Sequence, residues 1–147
     1  MKPWMELQLN TILILVADKV PIELLRALNQ DGYQVWVATN GAEALDRYRS
    51  FRPDLIIVDV PRLGTSRMAA MRLIYEAAPT PIIALGSAEA EIESLDTGAA
   101  HFITKPVAVS EIQARVRALL RRASSKPRYI TPQGQRTFWP RTRPSLW

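Results

Sequence analysis

The strongest constraint on this chain is a set of short apolar runs with no polar alternation. Thr11-Ile12-Leu13-Ile14-Leu15-Val16, Leu55-Ile56-Ile57-Val58 and Pro81-Ile82-Ile83-Ala84-Leu85 are the clearest. A strand with one wet face alternates apolar and polar residues. A continuous β-branched run of this length suits a strand buried on both faces, as in a parallel sheet covered by helices. Residues 33–38 and 101–104 read as two further strands, with residues 101–104 short.

The intervening segments carry helical spacing. After Pro21 come Ile22, Leu25 and Leu28, and Asp31-Gly32 ends that helix. Asn40-Gly41 turns into a second helix with Ala44, Leu45 and Tyr48 on one side, stopped by Arg52-Pro53-Asp54. Met68, Met71 and Ile74 mark a third helix ending near Ala78. Their spacing makes them core residues. Residues 89–96 form a short acidic helix carrying Ile92 and Leu95, closed by Gly98. Ser110 and Gln113 form a capping box that opens a last helix, with Ile112, Val116, Leu119 and Leu120 buried. Strands alternating with helices predict an α/β fold, a parallel sheet with helices on both faces.

In such sheets the chemistry sits at the carboxyl ends of the strands. Three groups fall there: Asp18 after strand 1, Asp59 after strand 3 and Lys105 after strand 5. Paired carboxylates suit Mg²⁺, which prefers oxygen ligands, and a lysine offers a point charge to phosphate oxygens. A cis Lys105-Pro106 bond would aim the lysine inward. Taken singly, Asp18 reads equally as a helix N-cap and Asp59 as a strand-end turn residue. Their convergence favours a site.

Composition removes other chemistries. With no cysteine there is no disulfide, thiolate nucleophile or cysteine-ligated zinc, and one histidine, His101, argues against a histidine metal cluster or a Ser-His-Asp triad. His101 reads as a rim residue of strand 5, and Trp36 as a residue packed on strand 2. No apolar run approaches a membrane span, and the first residues lack the stretch of a signal peptide, so a cytoplasmic protein is expected. The charged fraction, 22%, and the apolar fraction, 48%, are those of a soluble globular chain. The net charge of +5 is unevenly held. Residues 1–125 carry 14 basic and 14 acidic residues, whereas residues 126–147 carry Lys126, Arg128, Arg136, Arg141 and Arg143 and no acid. The organisation expected is an extension over 1–10, a domain over 11–123, and a basic, proline-rich tail over 124–147 without fixed structure.

The pattern resembles the receiver domain of two-component response regulators. The matching pieces are Ile14-Leu15-Val16-Ala17-Asp18, Gly32-Tyr33, Ala38-Thr39-Asn40-Gly41, Ala44-Leu45, Pro53-Asp54-Leu55-Ile56-Ile57-Val58-Asp59, Gly98-Ala99 and Phe102-Ile103-Thr104-Lys105-Pro106. The closing helix over 111–122 matches as well, so the resemblance covers about residues 11–122. It implies a three-layer doubly wound sandwich with a five-stranded parallel sheet of order 2-1-3-4-5, the flavodoxin-like or receiver fold. It implies that Asp59 accepts a phosphoryl group from a sensor histidine kinase or phosphotransfer protein, that Asp18 and Asp59 bind Mg²⁺, and that Lys105 contacts the phosphoryl group. It implies a signalling phosphoprotein rather than an enzyme, with a homodimer through the fourth and fifth helices as a further partner.

Several positions depart from the family. Ala17 stands where a second acid is usual, so Mg²⁺ should bind more weakly. The loop from Val60 to Gly64 is about two residues short, and the segment from Gly86 to Leu95 about three. The switch hydroxyl position aligns with Gly86, Ser87 would replace it only if strand 4 slid by one residue, and Phe102 holds the aromatic switch position without a hydroxyl. These departures keep a second expectation open: a pseudo-receiver that is not phosphorylated and works through protein contacts. Nucleic-acid binding by the tail, where arginines are interspersed with Tyr129, Phe138, Trp139 and Trp147, is the less favoured third.

Overall fold

The computed structural model describes residues 10–16, 21–60, 66–77, 80–124, 128–130 and 136–138. The elements are β1 (Thr11–Leu15), α1 (Ile22–Gln30), β2 (Gln34–Ala38), α2 (Gly41–Phe51), β3 (Leu55–Val60), α3 (Ser66–Ala77), β4 (Ile82–Gly86), a 3₁₀ turn (Ala88–Ala90), α4 (Glu91–Thr97), β5 (His101–Thr104) and α5 (Val109–Ser124). The five strands form one parallel sheet of order β2-β1-β3-β4-β5. This is the doubly wound order that the resemblance implies. No described helix is long and apolar enough to cross a membrane.

The missing polar alternation in the strands has its cause in two cores. Ile12, Ile14, Val16, Leu55, Ile57, Ile83 and Ile103 project to one face, where Leu24 and Leu28 of α1 and Ile112, Val116 and Leu120 of α5 cover them. Leu13, Leu15, Ile56, Val58, Ile82 and Ala84 project to the other, under Ala44 and Tyr48 of α2 and Met68, Met71 and Ile74 of α3. Side chains alternate in direction along a strand, so each central strand feeds both cores and needs an apolar residue at every step.

Local signals set the joints. Asn40 caps α2 by accepting from the Glu43 N–H at 2.8 Å, and Glu43 reaches back to the Thr39 N–H at 2.7 Å. Arg52, at φ 49°, closes that helix in the left-handed region just before Pro53. At the amino edge of the sheet, Asp54 is 4% exposed; its carboxylate accepts from the Thr11 N–H at 2.8 Å. At the β2 edge Trp36 stacks on Phe51, with centroids 4.3 Å apart and planes 14° apart, and packs against the core as its sequence position suggested.

Three details differ from the sequence reading. Helix α5 begins at Val109, with the Ala108 carbonyl accepting from the Ile112 N–H, and Gln113 donates to the Asp31 carboxylate at 2.9 Å instead of closing a capping box with Ser110. Helix α4 turns Ser94 and Thr97 inward and leaves Ile92 76% and Leu95 41% exposed. In the segment expected to lack fixed structure, β6 (Arg128–Ile130) pairs antiparallel with β7 (Arg136–Phe138).

Candidate functional site

Strand β3 extends through Asp59 to Val60, so Asp59 is the penultimate residue of the central strand. Its neighbour across the ladder is Leu85. Lys105 follows β5 directly: its N–H donates to the Gly86 carbonyl at 2.8 Å, and its bond to Pro106 is cis. The backbone therefore delivers both side chains to the carboxyl edge. The Lys105 ammonium donates to Asp59 Oδ1 at 2.5 Å, with the two side chains 47% and 25% exposed. Partial exposure leaves the carboxylate reachable from solution while the pair screens its charge. Beside it opens a cavity of about 850 Å³ whose walls include Ile14, Ile57, Leu85, Val107 and Ile112.

Of the residues singled out from sequence, the structure thus brings Asp59 and Lys105 together. Asp18 lies outside the described residues, as do Ala17 and residues 61–64 of the shortened loop after Val60. Among the described residues there is no group of three or more His, Asp or Glu that could hold a metal ion. The described part of the site contributes one hard oxygen donor set, the Asp59 carboxylate.

The three switch positions are also placed. Gly86 ends β4 in register with Val60 and Thr104, so the strand has not slid, and Ser87 stands exposed outside it at the start of the 3₁₀ turn. Phe102 is half-buried and packs on the α2–α3 core. A Cβ at Gly86 would meet the Val60 carbonyl oxygen at 2.7 Å and the tip of the Phe102 ring at 3.4 Å. Sequence reasoning read Gly86 as a missing hydroxyl. The geometry shows a second role, a close approach of two backbones that only glycine admits. A glycine closing a buried strand was the available signal.

His101 opens β5 as a half-buried rim residue. Burial, reinforced by the Arg115 and Arg122 guanidinium groups, lowers its pKa. Burial and the charge of Asp31 raise that of Tyr33, against a smaller opposing pull from Arg117. Neither group adjoins Asp59 in sequence, and neither shares its end of a strand.

Comparison with known proteins agrees with this arrangement. The family model for the response regulator receiver domain matches residues 14–117. A receiver domain of a Francisella response regulator is similar at 26% identity and TM-score 0.68, covering 77% of this chain and 98% of that one. A two-component response regulator from Clostridium difficile is similar at 25% identity and TM-score 0.68, over 77% and 97% of the two chains. The signal receiver domain of a signal transduction histidine kinase from Syntrophus aciditrophicus shares 31% identity at TM-score 0.68, over 80% and 95%. With the sheet order, the strand-end Asp–Lys pair and a match across most of the chain in hand, the protein belongs to the response regulator receiver domain family.

Proposed function

We propose that this receiver domain works in two-component signalling by accepting a phosphoryl group on Asp59. In the transfer, the N–P bond of a phosphohistidine on a sensor kinase or phosphotransfer protein breaks and a bond from an Asp59 carboxylate oxygen to phosphorus forms. The histidine leaves as imidazole after taking up a proton. The observation that carries this reading is the Lys105–Asp59 contact at 2.5 Å at the carboxyl edge of the sheet. Lys105 holds the carboxylate in place and can then pair with the phosphoryl oxygens, because transfer of this kind depends on position and charge neutralisation. The acyl phosphate adds negative charge and acceptor oxygens at the β3 end, next to loops that can respond to it.

Oxygen donors from Asp59 and Asp18 suit Mg²⁺, which when bound would neutralise phosphoryl charge. Ala17 supplies no carboxylate, so an Ala17→Asp variant should bind the ion more tightly. The proposal assigns a signalling role without turnover of a small-molecule substrate. Its test is incubation with a histidine-phosphorylated kinase or phosphotransfer domain. The wild-type chain should take the label and Asp59→Asn should not. Equal labelling of both would defeat the assignment.

A second reading is favoured by Gly86 and Phe102. With no hydroxyl at position 86 and an aromatic ring packed against the glycine, the domain could work as an unphosphorylated interaction module. Its contacts would run over α4 and α5, where exposed Ile92 and Leu95 stand on an acidic helix and Arg115, Arg117 and Arg121 on a basic one. A homodimer through these helices would match acid to base.

A further inference from the structure

We propose that β2 is a docking edge for a second copy of this chain, joining two receiver domains edge to edge into one continuous sheet. This contact is independent of the chemistry of Asp59 and lies away from α4 and its exposed apolar residues. Strand β2 is one edge of the five-stranded sheet, and among the described residues no strand pairs with its outer side. An edge strand is a template for another chain, and proteins blunt such edges with charged residues, proline or bulges. Gln34-Val35-Trp36-Val37-Ala38 has no charge and no proline, and it keeps an unbroken register with β1. The opposite edge, β5, is four residues long and runs through Lys105 into Pro106, which has no N–H to offer. Helix α2 packs on β1 as well as β2, which seats it inboard of the β2 edge.

The backbone directions select the partner. The Gln34 N–H donates to the Asn10 carbonyl at 2.9 Å, and the Ala38 carbonyl accepts from the Val16 N–H at 2.9 Å, so residues 34 and 38 face β1. Peptide groups alternate in direction along a strand, so Trp36 also faces β1, and Val35 and Val37 turn their N–H and C=O groups outward. This outward set is self-complementary about Trp36. In an antiparallel copy, Val35 meets the partner's Val37 and Val37 meets the partner's Val35, each pair exchanging both N–H···O bonds. A slip of two residues would set a valine against Tyr33 or Thr39, whose N–H groups already donate to the Leu28 carbonyl and the Glu43 carboxylate. The side chains agree with that register. Trp36 lies opposite the partner's Trp36, and aromatic cross-strand pairs stabilise a sheet. Its ring is already held, stacked on Phe51 with centroids 4.3 Å apart and with the Arg47 guanidinium 5.5 Å from its centroid. Val35 and Val37 pair with their counterparts on the other face. No charge within β2 opposes its like, and Arg47 beside it is matched by Glu43 at 3.7 Å. The joined β2 strands run in opposite directions, so the two Asp59 sites lie toward opposite ends of the combined sheet and neither is covered.

The test is sedimentation velocity of the full chain over a range of concentrations. An interface of one edge strand is small, so wild type should pass from one chain to two with a dissociation constant on the order of 10–100 µM. Val37→Pro removes an outward N–H and no bond to β1, at an edge position that admits proline. It should dimerise about tenfold more weakly, as should Val35→Lys, which sets a charge on the joint. Thermal melts should show both variants folded. Cross-linking gives a second reading that does not depend on them. The chain has no cysteine, so Trp36→Cys carries a single thiol, expected opposite the partner's own at a Cα separation of about 4.5 Å, within disulfide range. Mild oxidation should link it into a dimer. In Gln34→Cys the register sets the two thiols about 13 Å apart along the strands, so that variant should not link. A wild-type chain still monomeric at about 500 µM would overturn the proposal, because even weak specific interfaces associate there. Dimerisation unchanged in both valine variants would overturn it and move the contact to another face. Equal linking of the two cysteine variants would overturn the register and the edge with it.

Discussion

Substituting Gly86 with alanine tests how tightly the switch region is packed. The new Cβ meets the Val60 carbonyl oxygen at 2.7 Å, a backbone atom in a paired central strand that cannot swing aside. Its second neighbour, the Phe102 ring at 3.4 Å, can yield by a few tenths of an ångström. Overpacking of this kind costs about 1–3 kcal/mol. Alanine recovers about 0.5–1 kcal/mol of backbone entropy relative to glycine in a strand. A backbone collision at 2.7 Å puts the cost at about 2–3 kcal/mol, the upper part of the overpacking range, so the net loss is about 1–2.5 kcal/mol. For a domain of this size that lowers Tm by about 2–10 °C. The assay is thermal and urea unfolding of wild type, Gly86→Ala and Gly86→Ala/Phe102→Leu. The double variant frees the ring side only, so it should stay below Phe102→Leu alone. Wild-type stability in Gly86→Ala would refute the steric argument. Full rescue in the double variant would show that the ring, not the carbonyl, sets the limit.

Lys105→Gln should change stability by at most about 1 kcal/mol, because the ion pair is partly exposed, yet should slow phosphoryl acceptance; a large loss in urea unfolding with normal labelling would reverse these roles. Asp54→Ala leaves the Thr11 N–H without its carboxylate acceptor and should cost about 1–3 kcal/mol, read by the same unfolding, while Asp54→Asn keeps an acceptor and costs less. The pKa of His101 is lowered in the fold, so the unfolded chain binds its proton first as the pH falls. Stability should be intact above about pH 6.5, the ordinary histidine value, and decline below it. His101→Gln should flatten that part of the profile, and an unchanged slope would assign the decline to other groups.

The sheet was legible because burial on both faces leaves an unambiguous mark: β1, β3 and β4 have no polar step to spare. The Asp59–Lys105 pair was legible because parallel sheets bring the carboxyl ends of β3 and β5 to one edge, whatever the loops do. Contacts between distant elements were less visible. Gln113 looked like a capping residue, yet Asp31, 82 positions away, takes its amide. Helix α4 carries Ile92 and Leu95 at helical spacing, but the packed side follows Ser94 and Thr97. Apolar periodicity marks a face without saying that the core will cover it. The ribbon of β6 and β7 escaped the reading because three-residue strands are too short to show alternation above a background of proline and arginine.

The central claim is that Asp59, held by Lys105, is the phosphoryl acceptor. Intact mass of the full chain after incubation with a small-molecule phosphodonor and Mg²⁺ tests it most directly. Wild type should gain the mass of one phosphoryl group, and Asp59→Asn should gain none. A modified Asp59→Asn chain, or an unmodified wild type that holds Mg²⁺ under the same conditions, would contradict it.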